Sequence, residues 1–383
     1  MSVTTAKGFR AAGVTAGLKS SGSSDLALVL NDGPLKNAAA VFTSNRVAAA
    51  PVQWSRQVLR DGRVDAVLLN SGGANACTGP EGFQNTHRSA EKVAELLGLS
   101  ATDVAVCSTG LIGEQLPMEK LLPGIEGAAA ALTESGGPAA AAAIMTTDTV
   151  AKEAVFAGSG YSIGGMAKGA GMLAPGLATM LVVISTDAVV EPDGLDAALR
   201  DAVRVSFNRT DSDGCMSTND TVLLLASGAS GSYPDMDEFS AGLAGLCQEL
   251  ARALIGDAEG ASHDIAITAV NAASEQDAEL AARAVARSNL FKTAIFGNDP
   301  NWGRVLAAVG TTDAIFEPDQ LNVAINGVQV CRDGMIGDSR DLVDLTPRQV
   351  NVEIDLRAGD ATATILTNDL THEYVEENSA YSS

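Results

Sequence analysis

The segment Lys168-Gly-Ala-Gly-Met-Leu-Ala-Pro-Gly-Leu-Ala178-Thr179-Met-Leu181 carries more chemistry than any other stretch of this chain. Gly169, Gly171, Pro175 and Gly176 permit a tight loop, which delivers a small residue and then a threonine into the apolar run Met180 to Ser185. A hydroxyl held against the preceding carbonyl can attack it. Once the resulting ester hydrolyses between Ala178 and Thr179, Thr179 is a chain terminus whose own α-amine serves as base for its own hydroxyl. The plain alternative is a glycine loop that merely leads into a core strand. Phosphate binding does not fit, because no G-x-x-x-x-G-K-[ST] is present and Gly169-Ala-Gly171 precedes a strand pattern rather than a helix.

Attack on an amide carbonyl creates an oxyanion, and an oxyanion needs donors fixed in advance. The run Cys107-Ser-Thr109-Gly110-Leu-Ile-Gly113 follows a strand pattern and supplies a hydroxyl beside a flexible backbone N–H. The three histidines, His87, His263 and His372, form no comparable constellation: no G-x-S-x-G elbow accompanies His263-Asp264 and no zinc spacing occurs. Asp211-Ser-Asp213-Gly214 hints at a calcium loop, but Val222 stands where the loop needs glutamate.

The elements that must position these groups are α/β in pattern. Val64 to Leu69, Val104 to Cys107, Met180 to Ser185 and Val222 to Leu225 read as strands. Asp193 is expected to cap a helix whose stripe is Leu195, Ala198, Leu199, Ala202 and Val203. Asp235 and Glu238 suggest a capping box, with Gly256 ending the helix, and Ser274 with Asp277 opens another. Alanine runs at 128–131 and 139–143, split by Gly136-Gly-Pro138, predict two helices and a turn. Asn326-Gly327 marks a type I′ hairpin, and Val350, Val352, Ile354 and Leu356 alternate ahead of Gly359-Asp360 and a return strand. The last hundred or so residues are therefore expected to form a smaller α+β unit.

At 383 residues with 46% hydrophobic content the chain can bury a large core. A net charge of −22 disfavours nucleic acid and anionic membranes, both of which need a basic footprint. The N-terminus has no apolar signal region and no segment approaches a membrane span, so a cytoplasmic protein is expected. Cys77, Cys107, Cys215, Cys247 and Cys331, widely spaced and odd in number, read as reduced packing residues.

Several segments together carry a resemblance. Besides Lys168 to Leu181 they are Val41-Phe-Thr-Ser-Asn-Arg46, Asn70-Ser-Gly-Gly-Ala-Asn-Ala-Cys-Thr-Gly79, Thr146-Thr-Asp-Thr149, Ser206 to Arg209 through Ser217 to Thr221, Asp257-Ala-Glu259-Gly-Ala, Gly297-Asn-Asp-Pro-Asn-Trp-Gly-Arg304 and the ending Tyr374 to Ser383. From end to end the chain resembles the ornithine acetyltransferase (glutamate N-acetyltransferase) family of arginine biosynthesis. The resemblance implies a self-cleaving enzyme that moves an acetyl group from N2-acetylornithine to glutamate through an acetyl-threonine at Thr179. It implies an oxyanion site at Thr109 and Gly110, and substrate contacts at Thr146, Lys168, Glu259, Asn378 and Ser383. Lys168 and Glu259 would supply the fixed cation and anion that an amino-acid substrate calls for.

The fold it implies is the layered αββα sandwich of the self-cleaving ornithine acetyltransferase and aminopeptidase type, with the smaller C-terminal unit. Cleavage would give residues 1–178 and 179–383, the second with 179–272 completing the main domain and 273–383 forming the α+β unit whose tail returns to the site. The two pieces would remain a heterodimer, paired into a heterotetramer. No metal or organic cofactor is needed, since one amide is exchanged for another of similar energy. The alternatives are a self-cleaving aminopeptidase or amidase of the same fold type, whose nucleophile is typically serine, and a binding protein in which 168–179 is only a loop. Whether acetyl-CoA also serves as donor is left open.

Overall fold

The computed structural model describes residues 2–173 and 180–380. Ala178, Thr179 and Ser383, named above for cleavage, attack and substrate contact, lie outside the described residues. The chain divides into two compact units, Met1–Asn208 with Cys215–Leu254, and Arg209–Gly214 with Ile255 onward.

In the first unit, a four-stranded sheet runs in the order Phe9–Val14, Leu26–Asn31, Ala66–Asn70, Val104–Ser108; its first two pairings are antiparallel and its last parallel. A five-stranded sheet runs Asn37–Phe42, Thr221–Ala226, Leu181–Thr186, Ser162–Lys168, Lys152–Ala157. Alternate residues of its strands, Met166, Leu181, Val183, Leu223 and Leu225, share one apolar cluster with Leu28 and Leu68 of the other sheet. Side chains alternate across a strand, so that face is spoken for and the opposite one must be covered by something else. Helix Met236–Gly256 covers it: the α-hydrogen side of Gly165 faces Leu246 and Leu250, and Gly242 lies against the Phe156 ring. Helices Met118–Ala130 and Gly137–Ala143 pack on Phe9–Val14 and Leu26–Asn31. The layers of this unit therefore run helix, sheet, sheet, helix, the αββα order expected. Each fully buried Leu or Val in it contributes about 1.5–3 kcal/mol.

The strand and helix patterns read from the sequence fall on real elements, with instructive differences at the caps. Helix Pro192–Arg204 buries its expected stripe, but Glu191 occupies the N-cap and Asp193 sits in the first turn, because Pro192 takes the first helical position. Asp235 does accept from the Asp237 and Glu238 N–H groups at 2.9 and 3.1 Å, whereas the Glu238 carboxylate turns away to Ser159 rather than closing a box.

The second unit is built on a six-stranded sheet ordered Met335–Ile336, Val328–Arg332, Asn322–Ile325, Gln349–Asp355, Asp264–Ala272, Ala361–Asn368. Asn326 and Gly327 both have positive φ, 46° and 83°, as the type I′ turn requires. Val350, Val352 and Ile354 bury one face against helices Glu275–Ala286, Asn289–Phe296 and Trp302–Val309, while Gln349, Asn351 and Glu353 are exposed on the other. Ser274 caps its helix as expected, accepting from Asp277 N–H at 3.1 Å. One expectation is corrected: the return strand Ala361–Asn368 does not pair with Gln349–Asp355, because Asp264–Ala272 lies between them. Asp264–Ala272 thus goes with this unit, as a strand belongs with the sheet that satisfies its hydrogen bonds.

None of the five cysteines forms a disulfide. Cys107, Cys247 and Cys331 are buried packing residues; Cys77 and Cys215 are exposed, contrary to expectation, because both stand in irregular segments between elements. Among the described residues no helix is long and apolar enough to cross a membrane.

Candidate active site

Thr109 and Gly110 lie just past the end of strand Val104–Ser108, beside the loop that leaves the parallel strand Ala66–Asn70. Backbone hydrogen bonds sew the two loops together: Thr109 N–H donates to Asn70 O and Gly73 N–H to Thr109 O, each at 3.0 Å, and Ala74 N–H donates to Leu111 O at 3.0 Å. Gly110 has φ +133°, and a Cβ there would stand 2.7 Å from the Gly73 nitrogen. Glycine is thus required at 110 both by conformation and by room. Among the described residues the Gly110 N–H makes no hydrogen bond.

Lys168 ends strand Ser162–Lys168, and its side chain is almost wholly buried, at 1% exposure. Its Nζ donates to the Thr109 hydroxyl at 3.4 Å. That hydroxyl, having accepted, keeps its own proton to give. Lys168 is opposite Leu181 in the antiparallel register, so the strands that enter and leave the 169–180 segment are neighbours.

Both ends of that segment are pinned by buried carboxylates that the sequence reading did not assign. Gly169 N–H donates to Asp148 Oδ1 at 2.7 Å, and Met180 N–H donates to Asp220 Oδ1 at 3.0 Å. Asp148 also accepts from Thr146 N–H at 2.9 Å and from Lys152 Nζ at 2.6 Å. Burial pushes the Asp148 carboxyl up, but the charges of Lys168 and Lys152 and the Gly169 N–H outweigh it and hold the group below the usual carboxylate range. Asp220 is the opposite case. Burial drives its carboxyl well above that range, against the Met180 N–H, the Lys168 charge and the nearby hydroxyls of Thr43 and Ser217. Its Oδ2 has no hydrogen-bond partner among the described residues. Both acids sit in segments already singled out, Thr146 to Thr149 and Ser217 to Thr221. What was missing was their burial, which depends on chain far away in sequence.

The remaining assigned residues belong to the second unit. Asn378, on helix His372–Ala380, donates from Nδ2 to Glu259 Oε2 at 2.9 Å and to Tyr374 O at 3.0 Å. Glu259 borders a pocket of about 320 Å³ whose wall includes Ser212, Asp213, Lys292, Asp369 and Tyr374. Lys292 Nζ donates to Ser212 O, and burial lowers its pKa against the pull of Asp213, Asp211 and Asp369. Its signal in the sequence was a lysine in the apolar stripe of Phe291, Ala294 and Ile295. Asp211, weighed above as part of a calcium loop, instead takes Arg287 at 2.7 Å and Arg283 at 3.4 Å. His263 pairs with Asp369 at 2.8 Å rather than with Asp264, and its Nε2 faces Leu345 O at 3.0 Å. Among the described residues no cluster suited to a metal ion occurs.

Comparison with known proteins gives a consistent picture. A family model described as "ArgJ family" matches residues 10–383. The chain is 66% identical over 383 residues to the arginine biosynthesis bifunctional protein ArgJ of Streptomyces coelicolor, covering 100% of both chains. It is 63% identical over 382 residues to the protein of the same name from Thermobifida fusca, again covering 100% of each. Among solved structures, the ornithine acetyltransferase complexed with ornithine from Mycobacterium tuberculosis is 53% identical, matching 47% of this chain and 96% of that chain with a TM-score of 0.44.

Proposed function

We propose that this chain, which belongs to the ArgJ family, is a self-cleaving acetyltransferase of arginine biosynthesis that carries acetyl from N2-acetylornithine to glutamate on Thr179. The observation that carries the reading is the pair of donors at Thr109 and Gly110. One is a hydroxyl that accepts from a buried ammonium and keeps its own proton; the other is an N–H with no partner among the described residues. Two such donors suit one oxyanion, and the same pair serves both steps of the chemistry.

In maturation, Thr179 Oγ attacks the Ala178 carbonyl, the hydroxyl proton passes to the Thr179 nitrogen as the C–N bond breaks and frees the α-amine, and water hydrolyses the resulting ester to the Ala178 carboxylate and the Thr179 hydroxyl. In turnover, that amine takes the hydroxyl proton as Oγ attacks the acetyl carbonyl of acetylornithine. The proton passes to the departing α-amine of ornithine, and the acetyl group rests on Oγ. The α-amine of glutamate then attacks this ester and restores the hydroxyl. Lys168 polarises Thr109 as the negative charge develops. Thr146, Lys168, Glu259, Asn378 and Ser383 hold the two amino acids in turn. The acidic surroundings of Glu259 support a cationic side chain there: burial and the charges of Glu259, Asp257, Glu373 and Glu376 all raise the Glu377 carboxyl.

The cleavage products 1–178 and 179–383 stay together as a heterodimer, pair into a heterotetramer and work in the cytoplasm. Acetyl-CoA is a second donor to the same threonine; the relatives' shared designation as bifunctional supports this. Purified protein given glutamate with either donor should form N-acetylglutamate, and Thr179→Ala should remain one uncleaved, inactive chain. Release of acetate regardless of glutamate would mark an amidase instead, and normal cleavage of Thr179→Ala would remove the threonine from the mechanism.

A further inference from the structure

We propose that Asp148 is the positioning residue of the acyl-transfer site: its carboxylate locks Thr146, Lys152 and Gly169 into one buried cluster and so keeps the Lys168 ammonium on the Thr109 hydroxyl. The proposal rests on the reading of Lys168 and Thr109 given above and adds a residue to it.

The geometry is specific. Both oxygens of Asp148 are in use. Oδ2 accepts from Thr146 N–H at 2.9 Å, with the Thr146 hydroxyl at 3.5 Å. Oδ1 accepts from Gly169 N–H at 2.7 Å and Lys152 Nζ at 2.6 Å. The side chain is 0% exposed and that of Lys152 is 1% exposed. Gly169 follows Lys168 directly, so pinning its amide fixes the backbone from which the Lys168 side chain departs. The turn carrying Asp148 is held from the other side too, where Lys19 Nζ donates to Met145 O at 2.6 Å. A surface ion pair would add little; here the Lys152–Asp148 pair lies away from water, and the Lys168 charge acts on the same carboxylate.

Among the described residues, the charged groups that bear on this cluster are Asp148, Lys152, Lys168, the buried Asp220, and Lys19 with its neighbour Asp25. Without the Asp148 charge, the Lys152 and Lys168 ammonium groups stay buried without the carboxylate on which both charges act, and such a site relieves itself by losing a proton. A neutral Lys168 is a poorer donor to Thr109, so activity fails at a lower pH. A purely structural role would not move that limb.

The test measures kcat/KM against pH with acetylornithine and glutamate for the parent protein, Asp148→Asn, Lys152→Met and the double variant, and titrates Lys168 by NMR of protein labelled at lysine Cε. Asp148→Asn should shift the alkaline limb and the Lys168 titration down by about one pH unit or more, the usual effect of a near opposite charge. The double variant, relieved of the competing ammonium, should recover part of the shift. Superposed profiles for parent and a folded Asp148→Asn overturn the proposal. If Asp148→Asn alone does not fold, the double variant is compared with Lys152→Met: a downward shift supports the proposal and identical profiles overturn it. If the parent transfers no acetyl group, the reading of the reaction fails, and the NMR titration still decides the role of Asp148.

Discussion

Gly110→Ala is the substitution whose cost follows most directly from the structure. At φ +133° any residue with a side chain is strained, which costs on the order of 1–3 kcal/mol. The new methyl would also lie 2.7 Å from the nitrogen and 2.8 Å from the Cα of Gly73. Those are backbone atoms, held by the Gly73 N–H bond to Thr109 O and unable to rotate aside. The loops must separate, and the Gly110 N–H moves with them. A displacement near 1 Å at a reacting centre costs about 10²-fold in rate, similar to the loss of one oxyanion donor. The expected outcome is a folded protein with melting lowered by several degrees, self-cleavage slowed, and kcat reduced about 10²-fold with KM little changed. Circular dichroism, denaturing mass spectrometry and steady-state assays read the three quantities. A Gly110→Ala protein that matures and turns over like the parent would refute the placement of the oxyanion at this loop.

Thr109→Val keeps the shape and removes the hydroxyl, so turnover should fall roughly 10²-fold or more while the fold survives; full activity would take Thr109 out of the mechanism. Asp220 is a test of pH dependence. Its folded pKa is raised, so its contribution to stability is fully present below the unfolded value and is lost as pH rises through the folded one. Asp220→Asn keeps an acceptor for Met180 N–H without a charge to bury, so its stability to denaturant should gain on the parent at pH 8 relative to pH 5. An equal gap at both pH values would contradict the cost assigned to this acid.

Local pattern carried most elements but not their neighbours. The stripe from Leu195 to Val203 and the alternation from Val350 to Leu356 are period signals, and both were legible before any contact was known. Strand Asn37-Ala-Ala-Ala-Val-Phe42 was not, since three alanines carry no strand preference and the segment is held by pairing with Thr221–Ala226. That Asp264–Ala272 separates two later strands is a long-range fact with no local trace. The site divides the same way. The hydroxyl and glycine at 109 and 110 announce themselves by type, whereas an aspartate reads as surface until the chain across it is known. Asp148 and Asp220 are that case.

The central claim is a covalent acetyl-threonine, and it is tested most directly by giving the mature protein acetylornithine alone and weighing its fragments under denaturing conditions. The fragment beginning at Thr179 should gain one acetyl group, lose it on addition of glutamate, and show parallel double-reciprocal plots in the steady state. No acetylated fragment at any time, together with intersecting plots, would contradict the account and point to direct transfer in a ternary complex.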